Sequence, residues 1–174
     1  HRLNFSADVF DSKYKDQQIT TQYPTSSGAI ASVVDNVGSS TIKGAEFEGS
    51  FLIADELTAN VAVGYIDAKF DKYLAFTPGA TGAACAPNPP SPPVAQGCFV
   101  DVSSARSFQN TPKWTSHFGF TWNHDLGEGG HIALSPSASY RSHYQMFEAA
   151  NPVLDQGSYW VYDASLIWTD AKGV

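Results

Sequence analysis

Six stretches of this chain show a period-two pattern of hydrophobic and polar residues, and no stretch carries a convincing helical spacing. The clearest is WTSHFGFTWNHDLGEGGH, from Trp114 to His131. Trp114, Ser116, Phe118, Phe120 and Trp122 fall on one face, and Thr115, His117, Gly119, Thr121 and Asn123 on the other. Near Arg2 to Phe10, Leu3, Phe5, Ala7 and Val9 oppose Asn4, Ser6 and Asp8. Near Thr41 to Leu52, Ala45, Phe47, Gly49 and Phe51 oppose Gly44, Glu46, Glu48 and Ser50. Near Leu57 to Phe70, Leu57, Ala59, Val61, Val63 and Tyr65 oppose Thr58, Asn60, Ala62 and Gly64. Near His131 to Tyr144, Ile132, Leu134, Pro136, Ala138 and Tyr140 oppose His131, Ser135, Ser137, Ser139 and Arg141. Near Tyr159 to Thr169, Trp160, Tyr162, Ala164, Leu166 and Trp168 oppose Asp163, Ser165 and Thr169. Pro136 removes a ladder donor in mid-strand, which predicts a bulge there.

The connections alternate in length. A long polar loop is predicted over Lys15 to Ser40, then a tight turn at IADE. About 40 residues follow before the Trp114 strand; NHDLGEGG then turns tightly on Gly127, Gly129 and Gly130. QMFEAANPVLDQGS is long again. In an antiparallel meander this order gathers every long loop at one end and every short turn at the other, as in outer-membrane barrels. Two weak strand candidates, Ala29 to Val34 and Phe99 to Val102, fall in the long connections and are expected to extend strands or loops outside the membrane.

The aromatic spacing bears on which solvent the apolar face meets. Trp114 and Trp122 are eight residues apart, as are Trp160 and Trp168. Eight residues at about 3.3 Å each span about 26 Å. At a tilt near 40° the height is about 20 Å, close to the roughly 25 Å apolar band of an outer-membrane barrel with its aromatic girdles. Tyr65 and Tyr140 lie near the long-loop ends of their strands. The expected lipid-facing girdle is therefore Trp114, Trp122, Trp160, Trp168, Tyr65 and Tyr140, with the polar face lining a wet lumen.

Composition narrows the field. The 174 residues carry a net charge of -7 and no basic run that could bind phosphates, which argues against a nucleic-acid partner. No apolar run reaches the length of a membrane-spanning helix. The chain opens on His1 rather than Met, so a cut N-terminus is expected. The two cysteines, Cys85 and Cys98, sit in a Pro-rich stretch without metal-ligand spacing. A disulfide between them would close a loop of about 14 residues, contribute roughly 3 kcal/mol and imply an oxidising compartment.

Three motifs carry a family resemblance. NVGSSTIKGAEFEGSF, with Asn36, Gly38, Gly44, Glu46 and Glu48, resembles a mid-barrel signature of TonB-dependent outer-membrane receptors. NTPKW, with Asn110, Pro112 and Lys113, is similar to the start of a later strand in that family. SYWVYDASLIWTDAKGV, with Asp163 and Lys172–Gly173, is similar to the stretch before the family's last strands. The resemblance implies an all-β fold: about six strands, three hairpins, of an antiparallel up-and-down transmembrane barrel of 22 strands, residues 1–174 being one partial barrel domain. It implies TonB and a plug domain as partners, neither visible in this sequence, and a further strand region after Gly173. Six strands are too few to close a membrane barrel, which predicts that the chain belongs to a larger wall.

No catalytic constellation stands out, and no enzyme, metal or cofactor is expected. Glu46 and Glu48 share a strand face, where lumenal solvation or pairing with a plug explains them better than acid–base work. His1, His117, His124, His131 and His143 show no metal spacing. GEGG sits in a hairpin turn and cannot act as a phosphate loop. Strand parity sends Arg141 and His143 to the lumen near the outer rim, with Tyr73 and Gln145 on the adjoining loops. These four are the candidate contacts for a small-molecule or glycan ligand: a ferric siderophore, a corrinoid or an oligosaccharide. The expected function is active nutrient transport in a Gram-negative-type outer membrane, long loops extracellular. Two alternatives are a passive porin or small closed barrel, and a secreted soluble all-β binding domain.

Overall fold

The structure is a computed structural model that describes residues 2–25, 27–87 and 97–171. His1 and the Lys172–Gly173 pair lie outside the described residues. Among the described residues there is no α-helix. The elements are β1 (Leu3–Pro24), β2 (Ile30–Ala54), β3 (Leu57–Pro78), β4 (Gly97–Asp101), β5 (Trp114–Asp125), β6 (His131–Arg141) and β7 (Tyr159–Thr169), with three short 3-10 turns. Six strands form an antiparallel meander in the order β1-β2-β3-β5-β6-β7, and β4 pairs only with the far half of β3.

The register makes the six alternating patterns one surface. Leu3 lies opposite Phe51, and Phe51 opposite Ala59. Ala45 lies opposite Tyr65 and Tyr65 opposite Trp114. Phe118 lies opposite Ala138 and Ala138 opposite Tyr162. A one-residue slip in any ladder would send a whole apolar row through the sheet. None occurs over these rows, so the apolar face is continuous across six strands. It has no cover: Phe5 is 61% exposed, Leu166 70% and Trp168 61%.

Two expectations need correction. Lys15 to Ser40 is not a loop: β1 runs on to Pro24, turns at Thr25–Ala29 and returns as β2. Thr25 N–H donates to the Ala29 carbonyl (2.7 Å), and Gly28 takes the left-handed φ of 82° the turn requires. The segment is rich in Thr, Ile, Tyr and Val, which favour strands, yet its faces do not alternate in polarity. Ala29 to Val34 accordingly lies at the turn and start of β2, while Phe99–Asp101 belongs to β4. Nor does Pro136 sit in a bulge. Gly119 opposite Ser137 and Trp122 opposite Leu134 keep one register, and the ladder simply lacks the intervening pairs where the proline has no N–H to give.

The strands are of two lengths. β5, β6 and β7 have 12, 11 and 11 residues, whereas β1, β2 and β3 have 22, 25 and 22. Eleven residues reach about 37 Å along the strand, or about 28 Å in height at a 40° tilt. The shorter strands thus match one bilayer band, and the longer three rise well beyond it. The core lies in that extension, not in the wall. Leu74 and Phe99 are buried, at 4% and 2% exposure, with Ile19, Tyr23, Phe76 and Ala86 packed on them. Tyr23 and Phe76 each meet the Phe99 ring edge-on with centroids 6.0 Å apart. A Cys85–Cys98 disulfide, Cα atoms 5.5 Å apart, ties Cys85 to β4 beside this core.

Candidate functional site

The polar face is built by the same register. Glu48, Ala62, His117 and Ser139 form one row, and the His117 Nδ1 and Ser139 Oγ atoms are 3.0 Å apart. Gly64, Thr115 and Arg141 form the row nearer the long loops. Gly44, on this face, is covered by the Phe10 ring; a Cβ there would collide with that ring and with the Tyr65 carbonyl. Two grooves lie on this side. One of about 350 Å³ touches Asn4, Ser6, Glu48, Asn60 and His117. The other, of about 410 Å³, touches Glu46, Glu48, Thr115, His117, Ser139 and Arg141.

The four candidate ligand contacts do not converge on one site. Arg141 borders the groove of about 410 Å³. His143 and Gln145 share a separate cavity of about 200 Å³ with Phe108, Thr111 and Lys113. His143 Nε2 stands 3.4 Å from the Asp155 carboxylate, and the Gln145 carbonyl accepts the Asn110 N–H at 2.8 Å. The Gln145 Oε1 atom is buried and makes no hydrogen bond. Tyr73 lines a third cavity, of about 530 Å³, with Gln17, Gln18, Phe70, Phe108 and Glu148.

Tyr73 already has partners within the chain. Its hydroxyl donates to Glu148 Oε2 at 2.5 Å, and the Arg106 guanidinium lies 5.6 Å from its ring centre. Burial first, and then the bond to Glu148, push its pKa up to about 12. Phe70 meets the Tyr73 ring edge-on and stacks on Phe108 with centroids 4.3 Å apart. Ser107 N–H donates to the Glu148 carbonyl, and Arg106 bridges to Ala149. The loop after β6 is thereby strapped to the loop before β5. Arg106, Phe108 and Glu148 carry no local motif; contacts between residues as far apart as Tyr73 and Glu148 leave no trace in spacing.

The aromatic positions gather in two rows on the apolar face. Tyr65 and Trp114 have ring centroids 4.7 Å apart, and Tyr140 and Trp160 5.0 Å, all at the long-loop side. Trp122 and Trp168 lie at the short-turn side, where the Trp168 indole donates to the Gly129 carbonyl at 3.0 Å.

An open antiparallel wall with one apolar and one polar face, short turns on one side and tall strands on the other, defines a barrel segment. Residues 1–173 match the family model described as TonB dependent receptor-like, beta-barrel, and the chain belongs to that family, one of receptors rather than enzymes. The fold is also similar to the ferric yersiniabactin uptake receptor FyuA from Yersinia pestis, with a TM-score of 0.62 and 16% identity. That likeness covers 98% of this chain and 21% of the other, so the chain spans about a fifth of that receptor's length. No curated protein matches the sequence.

Proposed function

We propose that residues 1–174 are one partial barrel domain, a section of the 22-stranded wall of a TonB-dependent active transporter in a Gram-negative-type outer membrane. The unbroken apolar face across six strands, at bilayer height, carries this reading. Trp114, Trp122, Trp160, Trp168, Tyr65 and Tyr140 face lipid at its two interfaces, and the polar face surrounds a plug and the ligand path. The long-loop end is extracellular, and TonB supplies energy from the opposite side.

The cargo is a ferric siderophore. Family membership supports transport, and the wall shared with a ferric yersiniabactin receptor favours a ferric chelate over a corrinoid or an oligosaccharide. Arg141 and His143 offer cationic or donor groups to an anionic chelate, and Gln145 an amide with a free buried oxygen. Tyr73 contributes through its ring and the strap it holds.

The test is uptake of radiolabelled ferric siderophores by iron-limited cells lacking the parent gene, complemented with the full receptor or its Arg141→Ala/His143→Ala variant. Uptake restored by the full receptor, abolished by dissipating the inner-membrane potential and reduced about 10-fold or more in the variant is expected. Restored uptake indifferent to that potential would indicate a porin. Corrinoid or oligosaccharide uptake in place of siderophore uptake would overturn the cargo.

A further inference from the structure

Two irregularities of register stand at one height on either side of β2, in the part of the sheet beyond the bilayer band. Ser40 lies opposite Tyr14 on β1 and Phe70 on β3, and Gly38 lies opposite Gln17 and Tyr73. β2 covers this interval in two steps where each neighbour takes three. Asp16, at a left-handed φ of 54°, lies in the bulge of β1. Asp71, which accepts a 2.7 Å bond from the Thr41 hydroxyl, lies in the bulge of β3. Three regular steps would turn Gln17 and Tyr73 to the outward face. The extra residues keep them on the face of Ser40, Gly44 and Glu46, the polar one. Between them Gly38 carries no side chain, and Ile19 leans over it, with Cδ1 2.7 Å from where a Cβ would stand. A trough therefore runs over β2, walled by β1 and β3.

The loops roof this trough. Phe108 stacks on Phe70 with centroids 4.3 Å apart, and Phe147 and Glu148 reach in from the loop after β6. The cavity so formed, of about 530 Å³, has the size of a small-molecule site. Its chemistry is one-sided. Phe147 is 54% exposed and has no ring partner among the described residues, so its aromatic face is free. Gln17 Oε1 is buried and accepts no hydrogen bond, which costs free energy unless a donor reaches it. The one charged lining group is the Glu148 carboxylate; no Lys or Arg lines the cavity among the described residues. The cationic groups lie elsewhere, Arg141 in its groove and Lys113 and His143 in the cavity of about 200 Å³.

We propose that this cavity is an aryl subsite, which takes an uncharged planar ring bearing an N–H or O–H donor. The ring lies against Phe147 and Phe108, and its donor reaches Gln17 Oε1. Glu148 excludes an anionic group from the same place. The proposal rests on the reading of the polar face as the ligand path, and it adds a requirement to the cargo. Beside an anionic chelating part held near Arg141 and His143, the cargo carries a neutral aromatic arm.

Binding of para-fluorobenzamide to the full receptor in dodecyl maltoside is followed by fluorine NMR line broadening, with detergent-only samples subtracted. The N,N-dimethyl derivative keeps the ring without the donor, and para-fluorobenzoate replaces the donor by a negative charge. Saturable binding of the benzamide is expected, with the dimethylamide about 5-fold or more weaker and the benzoate about 10-fold or more weaker. Gln17→Leu should abolish the preference for the benzamide over the dimethylamide. Phe147→Ala, which breaks no ring pair of the strap, should weaken both amides about 5-fold. Gln17→Lys should reverse the order, with the benzoate bound more tightly than the benzamide, a gain that misfolding cannot produce. No saturable binding, equal affinity of the three probes, or an unchanged order in Gln17→Lys would each overturn the subsite. Siderophore uptake by cells reads the underlying function separately. Uptake without probe binding would sink the subsite alone, and probe binding by a receptor that imports no siderophore would sink the cargo reading alone.

Discussion

The lower wall and the tall extension solve folding in different ways, although β1, β2 and β3 run through both. In the extension Leu74 and Phe99 are buried among Ile19, Tyr23 and Phe76, as in a small water-soluble domain. In the wall no side chain of the apolar face is buried, and its largest residues stand open. The wall is held by backbone ladders and cross-strand ring contacts such as Tyr65–Trp114, and its apolar face requires another apolar phase. The difference teaches that hydrophobic alternation marks burial only when the solvent on each side is known.

The contrast can be broken first in the extension. Phe99→Ala removes the most buried ring and is expected to cost about 3–5 kcal/mol locally. Hydrogen exchange in the full receptor should then speed up across β4 and the far half of β3, with the β5–β7 amides unchanged. Slowed or unaltered exchange in β4 would mean that the extension has no core of its own.

The wall gives the next largest effect. Leu166→Arg puts a charge on the apolar face near mid-height and should cost about 2–4 kcal/mol in a bilayer, whereas the neighbouring Ser165→Arg should cost close to nothing. Denaturant unfolding of the receptor in vesicles measures both. Equal costs would mean that the two faces see the same solvent.

The smallest effect concerns the strap. Burial and the Glu148 bond raise the Tyr73 pKa to about 12, so the protonated phenol is the form the fold favours. Its contribution is complete below the ordinary tyrosine value near 10 and is lost as pH rises through about 12. The difference in 295 nm absorbance between the receptor and its Tyr73→Phe variant should show one tyrosine ionising near pH 12. A midpoint near 10 would show the strap open in solution. Tyr73→Phe itself should cost about 1 kcal/mol, since it leaves Glu148 able to turn to water.

The wall was legible in the sequence because each of its faces meets one solvent. Trp114 through Trp122 and Trp160 through Trp168 carried their own period, and their partners' parity followed. The extension was not legible, for the same reason inverted. From Gln17 to Tyr23, and again from Ile30, the strands have mixed faces, water on one stretch and the Leu74–Phe99 core on another, so the pattern looked like a loop. Pro136 misled differently: a lost donor need not shift the register when the flanking pairs hold it. The candidate ligand residues were legible as types and as parity, which put Arg141 on the polar face. Their separation into three cavities depends on how the loops after β3 and β6 fold together, through Arg106, Phe108 and Glu148.

The most direct test of the two-solvent wall is nitroxide scanning along β7, from Trp160 to Trp168, in the full receptor reconstituted into vesicles. Each site is replaced by a spin-labelled cysteine, and collision with oxygen, which partitions into lipid, is compared with collision with a water-soluble nickel chelate. The account predicts oxygen-accessible labels at positions 160, 162, 164, 166 and 168, and oxygen-protected labels at 161, 163, 165 and 167, a period of two along the strand. Equal access of the nickel chelate to both sets of positions would contradict it.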